Sequence, residues 1–144
     1  MNKGINVFFE ELGEPNHLEN DRTFTKHAAD VLRNNHGIVK TEKYIGLKAN
    51  DIRFRADIVL QDKMIIIDTK LKNNNGTPDE KIMDKCFWLN YACKHWGYKK
   101  GIILYGGTHW NKKVITYLRD VVLPEYYPHV SMIRYEDDIE LKNI

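Results

Sequence analysis

The sequence predicts an α/β protein in which a central mixed β-sheet is flanked by helices. Three observations predict this class. Two neighbouring segments with strand patterns form a hairpin, a near-continuous apolar run follows them, and segments of helical periodicity then alternate with short apolar runs. A hairpin followed by strand–helix units requires a sheet with both strand directions, because a parallel crossover places its helix over one face. The expected element order is therefore helix, three strands, helix, strand, helix, strand.

The first half of the chain supplies one helix and three strands. Asp21 to about Asn35 has apolar residues at helical spacing, with Asp21 as a plausible N-cap and Gly37 as the stop. Three predicted strands follow: Ile38 to Leu47, Ile52 to Leu60 and Lys63 to Lys70. Gln61 and Asp62 supply the turn before the third strand, whose near-continuous apolar run predicts that both of its faces are buried.

The second predicted helix has the most secure start of any element in the chain. Thr77 is an N-cap, Pro78 occupies the first helical position, and Glu80 completes a capping box three residues after the cap. This helix ends at Gly97. The remaining predicted elements are a strand, a helix and a strand: Gly101 to Tyr105, Trp110 to Val122 and Val130 to Tyr135.

Length and composition indicate one soluble domain over residues 1–144. With 42% hydrophobic residues the chain can bury one core. Its longest wholly apolar run, Met64 to Ile67, is far shorter than the roughly 20 residues of a membrane span. Cys86 and Cys93 are about 10 Å apart along one predicted helix, too far to bridge. We therefore expect reduced thiols, a cytoplasmic location and no membrane partner.

Two carboxylates and a lysine interrupt the predicted hairpin. Asp68 and Lys70 project from the same face of one strand, and Asp57 lies near the end of the preceding strand, where it can approach Asp68. Neighbouring carboxylates repel each other, and their burial is costly unless a cation compensates. Mg²⁺ suits such a site because it takes one or two protein carboxylates, and we expect Mn²⁺ to substitute. A lysine here can orient or deprotonate a water, so the pattern indicates a phosphodiester hydrolase.

With these residues identified, the chain resembles the PD-(D/E)XK nuclease superfamily. The resemblance lies in Asp57, then Asp68-Thr69-Lys70 at the end of an apolar strand, then a helix, and it extends over the element order from Asp21 to Tyr135. It implies a restriction-endonuclease-like fold and Mg²⁺-dependent cleavage of DNA. It also implies that Asp57 and Asp68 are metal ligands and that Lys70 is the catalytic lysine.

Many members of this family carry an additional acid on the first helix. The inner part of the first helix here offers Asp30. Glu19 or Asp21, at the start of the helix, is the better candidate, and we take Glu19 as the catalytic residue that completes the metal site.

Five basic residues are expected to contact nucleic acid. Arg53 and Arg55 share strand parity with Asp57, which places them on the side where substrate lies. The other three follow the active strand and can meet phosphates: Lys72, Lys81 and Lys85. For the last two, a solvated helix face is the simpler interpretation.

The expected function is a sequence-specific DNA endonuclease of restriction or homing type. Cutting both strands of a duplex needs two sites, so we expect a homodimer or a higher homo-oligomer. The net charge of +2 permits a polyanionic partner without requiring one. One alternative is a structure-specific Holliday-junction resolvase that acts on branched rather than double-stranded DNA. Another is a catalytically inactive nuclease-like module that binds nucleic acid, which the absence of an obvious acid on the first helix supports.

Overall fold

The computed structural model describes residues 21–72 and 81–144, which form a five-stranded sheet with strand order β1-β2-β3-β4-β5. The strands are β1 (Val39–Leu47), β2 (Arg53–Leu60), β3 (Ile65–Leu71), β4 (Lys100–Gly106) and β5 (Val130–Arg134). β2 runs antiparallel to both β1 and β3, whereas β3, β4 and β5 are parallel. The predicted class, a mixed sheet flanked by helices, is confirmed.

Helices cover both faces of the sheet. They are α1 (Asp21–His36), α2 (Lys81–Trp96), α3 (Lys112–Tyr117), α4 (Leu123–Tyr126) and α5 (Asp138–Lys142), and a π-helical turn over Leu118–Val122 joins α3 to α4. One apolar cluster lies between the sheet and α1 with α5, and a second lies between the sheet and α2, α3 and α4. No helix in the described part of the chain is both long and apolar enough to cross a membrane.

Several boundaries differ from the prediction. β3 begins at Ile65 rather than Lys63, because Gln61–Lys63 form a 3₁₀ turn that ends in Met64 with a left-handed φ of 54°. The helix predicted to end at Val122 continues to Tyr126 through a π-helical turn, and Pro124 follows directly after that turn.

α5 was not predicted from the sequence, and Asp137 caps it by accepting a hydrogen bond from the Glu140 backbone N–H at 3.1 Å. The capping box of Thr77 to Glu80 lies outside the described residues, so the predicted start of α2 stays a prediction.

The alternation of side chains along β2 changes phase at Asp57. Phe54, Ala56 and Val59 all pack in the cluster beneath α2, although strict alternation would place Val59 on the opposite face from the other two. On the neighbouring strand, Glu42 has a φ of 47°. The β1–β2 ladder pairs Thr41 with Ile58 and Lys43 with Ala56, and the residues between them, Glu42 and Asp57, are not paired. Strand parity alone therefore does not determine which side chains share the side of Asp57.

β1 is irregular at Gly46, where its register with β2 shifts. A Cβ at Gly46 would lie 2.5 Å from the ring of Trp96 on α2. That ring packs edge to face against Phe54 and Tyr91, with centroid distances of 5.9 and 5.5 Å. The absence of a side chain at Gly46 therefore allows the end of α2 to pack directly on the β1–β2 hairpin.

Gly46→Ala should lower the free energy of unfolding by about 1–3 kcal/mol, the usual cost of overpacking. Urea denaturation followed by circular dichroism measures it. Trp96→Phe makes room at the contact, so Gly46→Ala should cost less in that background than in the wild type. An equal cost in both backgrounds would contradict the steric explanation.

Candidate active site

The candidate site lies where β2 and β3 separate. Their ladder ends at the pair Ile58–Ile67. Beyond that pair, side-chain carboxylates accept the backbone hydrogen bonds. The N–H of Asp57 donates to Oδ1 of Asp68 at 3.4 Å, and the N–H of Thr69 donates to Oδ2 of Asp57 at 2.9 Å. The backbone of each strand thus orients the carboxylate of the other.

A hydroxyl chain connects the first helix to this pair. The Thr69 hydroxyl donates to Oδ2 of Asp57 at 3.2 Å and also contacts the Thr25 hydroxyl of α1. Because Thr69 has a single hydroxyl proton and gives it to the carboxylate, Thr25 must be the donor to Thr69. The described part of α1 therefore reaches the site through a threonine.

The described side chains do not place an acid of the first helix at the site. Asp30 forms a surface ion pair with Arg33 at 2.8 Å. Asp21 is the first described residue of α1, and Glu19 lies outside the described residues. The assignment of Glu19 stays a prediction.

Asp68 is buried in an environment that disfavours its charge. Burial raises the pKa of Asp68 to about 6, and the neighbouring Asp57 charge adds to this, whereas Lys85 and Lys48 oppose it. On α2, the buried thiol of Cys86 has a pKa raised to about 12 by burial and by the Asp68 charge, so it stays neutral. A further cation beside Asp68 would therefore strongly favour the ionised form of this carboxyl group.

The two carboxylates fit a divalent metal ion. Hydrogen bonds within the described residues reach Oδ2 of Asp57 and Oδ1 of Asp68, and leave the second oxygen of each carboxylate without a donor. A hard cation can bind such oxygens and complete its shell with water and phosphate. In residues 21–72 and 81–144 no third Asp, Glu, His or Cys joins them in a metal-binding cluster. Asp57 and Asp68 are therefore the described residues that would hold such an ion.

A cavity of about 630 Å³ opens beside the carboxylates, between the β1–β2 hairpin and α2. Asp57 and Asp68 line it together with Asp84. Its cationic lining consists of Lys48, Arg55, Lys81 and Lys85, and its aromatic lining of Phe54 and Trp88. A cavity that joins carboxylates to several cations suits an anionic substrate bound through a metal ion.

The predicted contact residues divide into two groups. Arg55, Lys81 and Lys85 line the cavity. Arg53 is exposed and lies against Tyr44, and Lys72 is buried with its ammonium 5.5 Å from the ring centroid of Trp110. Neither of these two lines the cavity.

Lys70, the predicted catalytic lysine, is half-buried on β3, two residues beyond Asp68. It lies opposite Tyr105 of β4 in the ladder. It does not line the cavity, and its role stays a prediction.

Sequence reasoning missed four of the described residues that line the cavity: Lys48, Phe54, Asp84 and Trp88. Lys81, Asp84, Lys85 and Trp88 are spaced three, one and three residues apart, which places them on one helix face. This spacing could have predicted from the sequence that Asp84 and Trp88 share a helix face with Lys81 and Lys85. Lys48 had no comparable signal, because its place depends on the irregular hairpin.

Comparison with protein families matches residues 16–143 to a PD-(D/E)XK nuclease superfamily domain. Searches of curated proteins and of solved structures return no match. The family match covers both strands of the hairpin, the motif residues and α2.

Without divalent cations, the free energy of unfolding should fall as the pH rises from about 4 to about 6. The folded-state pKa of Asp68 is about 6, above the unfolded value of about 3.9. In this window the folded state holds a proton that the unfolded state has lost, so stability falls as pH rises, by up to about 3 kcal/mol. Urea denaturation at constant ionic strength measures the change.

Asp68→Asn is the control for this pH dependence, because it is neutral at every pH and nearly the same size. It should lack the decline. At neutral pH, excess divalent cation should stabilise the wild type and leave the variant almost unaffected. Identical pH profiles for the two proteins would exclude Asp68 as the source.

Proposed function

Since the chain belongs to the PD-(D/E)XK nuclease superfamily, we propose that it is a Mg²⁺-dependent endonuclease that hydrolyses phosphodiester bonds in DNA. The observation that carries this proposal is the pair of Asp57 and Asp68, each oriented by the opposite strand and each with one oxygen that receives no hydrogen bond from the described residues. Stability does not account for the pair, because burying a carboxyl group beside another one opposes folding. Catalysis does account for it.

Asp57 and Asp68 are the residues that would hold the metal ion, and Mn²⁺ is expected to substitute for Mg²⁺. A bound ion supplies a Lewis acid for the phosphate and acidifies water. Thr69 keeps Asp57 in one orientation through two hydrogen bonds. Lys70, two residues from Asp68 on β3, is proposed to orient the attacking water and to offset the charge that develops on the phosphorane.

The cationic lining of the cavity supports the proposal that the substrate is a polyanion. Arg55, Lys81 and Lys85 line the same space as the two carboxylates, and phosphates of a bound strand would contact them. We extend the proposal to sequence-specific cleavage of double-stranded DNA by a homodimer or higher homo-oligomer, because two strands require two sites. The buried, unpaired Cys86 and Cys93 favour a reducing, cytoplasmic setting.

A catalytically inactive module that binds nucleic acid is a second candidate. One observation favours it: in the part of the chain that the structure describes, no third metal-binding group joins Asp57 and Asp68. Binding of DNA without cleavage in either Mg²⁺ or Mn²⁺ would select this candidate over the endonuclease.

Asp68→Asn should reduce Mg²⁺-dependent cleavage on the order of 10³-fold or more, because it removes a metal ligand. Cleavage of labelled plasmid DNA in a time course measures the rate. Asp62→Asn is the matched control, because it makes the same change of charge in the exposed turn between β2 and β3. This variant should retain full activity. Full activity of folded Asp68→Asn would refute the assignment.

The class of DNA can be determined from the same preparation. A sequence-specific enzyme should cut linear duplexes at defined positions, and end sequencing of a plasmid and phage panel would show one repeated motif. A Holliday-junction resolvase should instead cut a four-way junction and leave the matched linear duplexes intact. Light scattering before and after addition of DNA gives the oligomeric state, and a monomer in both conditions would contradict the proposed oligomer.

A further inference from the structure

The tip of the β1–β2 hairpin places one lysine at a fixed position beside the active site. The N–H of Lys48 donates to the carbonyl of Ile52 at 2.8 Å, and the N–H of Asp51 donates to the carbonyl of Lys48 at 2.9 Å. Two residues earlier, Gly46 packs against Trp96 of α2. The backbone of Lys48 is therefore tied both to its own turn and to the helix that forms the opposite wall of the cavity.

Aromatic rings, and not a carboxylate, hold the Lys48 ammonium. Its Nζ lies 5.0 Å from the ring centroid of Trp88 and 5.6 Å from that of Phe54. Such cation–π contacts contribute about 0.5–1 kcal/mol when exposed and leave the charge in place. The ion pairs among the described residues involve other side chains. Lys48 thus presents a positioned positive charge that makes no ion pair within 4 Å among the described residues, although it acts on Asp68 across the cavity and lowers the pKa of that carboxyl.

This charge faces the cavity that contains the motif carboxylates. Lys48 lines the cavity together with Asp57 and Asp68. Lys85, also in the lining, belongs to α2, whereas Lys48 belongs to the hairpin. The two lysines therefore approach the cavity from different elements, which allows them to contact different phosphates of one strand.

We propose that Lys48 binds a phosphate adjacent to the one that is cleaved and thereby positions the nucleic-acid strand in the active site. This inference rests on the proposed function, since it takes the occupant of the cavity to be a polynucleotide. Trp88 and Phe54 place the ammonium and limit the conformations it must lose on binding. The structural alternative is that Lys48 only covers these two rings, in which case its charge has no effect on binding.

The test measures binding of the full chain in EDTA, so that it does not depend on cleavage. The probes are a short fluorescein-labelled DNA duplex and its single strand, followed by fluorescence anisotropy over a range of salt concentrations. Lys48→Met keeps an aliphatic side chain over the rings and removes the charge. It should weaken binding roughly threefold to tenfold at low salt, and the slope of log K against log salt should fall by about 0.9 for the duplex or about 0.7 for the single strand.

Two variants control for charge and packing. Lys48→Arg retains a cation over the rings and should keep the wild-type slope. Lys94→Met removes the same charge from an exposed position in the last turn of α2, outside the cavity lining, and should also keep the slope. A fall in slope for Lys94→Met equal to that for Lys48→Met would overturn the proposal, because the effect would then be one of net charge.

Neutral methylphosphonates, introduced one at a time into the tighter-binding probe, locate the contact. At one position the substitution should weaken wild-type binding and have little further effect on Lys48→Met, because the same interaction is already lost. Additive losses at every position, an unchanged slope for Lys48→Met, or no binding of either probe would each overturn the proposal.

The outcomes separate this inference from the proposed function. A protein that binds through Lys48 but cuts no DNA in Mg²⁺ or Mn²⁺ would retain the contact and lose the nuclease assignment. A protein that cuts DNA, and whose Lys48→Met variant binds like Lys94→Met, would retain the assignment and lose the contact.

Discussion

The site depends on the end of the β2–β3 ladder after Ile58 and Ile67. Backbone N–H groups at this depth need acceptors, because leaving them unpaired is costly. Where the strands separate, the N–H groups of Asp57 and Thr69 donate to the carboxylates of Asp68 and Asp57 rather than to backbone carbonyls. The separation of the strands therefore both satisfies these backbone groups and orients the two carboxylates that are proposed to hold a metal ion. Such preorganisation is what electrostatic catalysis requires.

The position of this break within the sheet explains why Asp68 is costly to ionise. β3 lies between β2 and β4, and apolar clusters cover both of its faces. Asp68 is consequently buried with a raised pKa, and the charges of Lys85 and Lys48 only partly compensate. A surface position would have made the carboxylate cheap to ionise and free to move. The protein thus has reduced stability in return for a rigidly held carboxylate, as functional sites commonly do, and a rigid carboxylate is what the proposed metal site requires.

The sequence allowed prediction of features that depend on local pattern. Helical and strand periodicities gave the class and the order of elements through β5, and the Asp57, Asp68 and Lys70 pattern led to the family that the match to residues 16–143 confirms. Features that depend on contacts between distant segments were not predictable. The fit of Trp96 against Gly46, the phase change at Asp57, and the resulting position of Lys48 each need the packed structure. The same holds for Thr25, because a threonine on α1 carries no signal of its partner on β3.

The role of Thr25 bears on the charge of the site. The hydroxyl groups of Thr25 and Thr69 orient Asp57 without adding a negative charge. An acid in the place of Thr25 would add one. Among the described residues, four cationic and three anionic side chains line the cavity, and their formal charges sum to +1, which a bound divalent ion would raise to +3. Phosphate should therefore bind the cavity more tightly when the metal is present, and by linkage the metal should bind more tightly when phosphate is present. Metal and substrate would then support each other's binding through electrostatics alone, without any change in the fold.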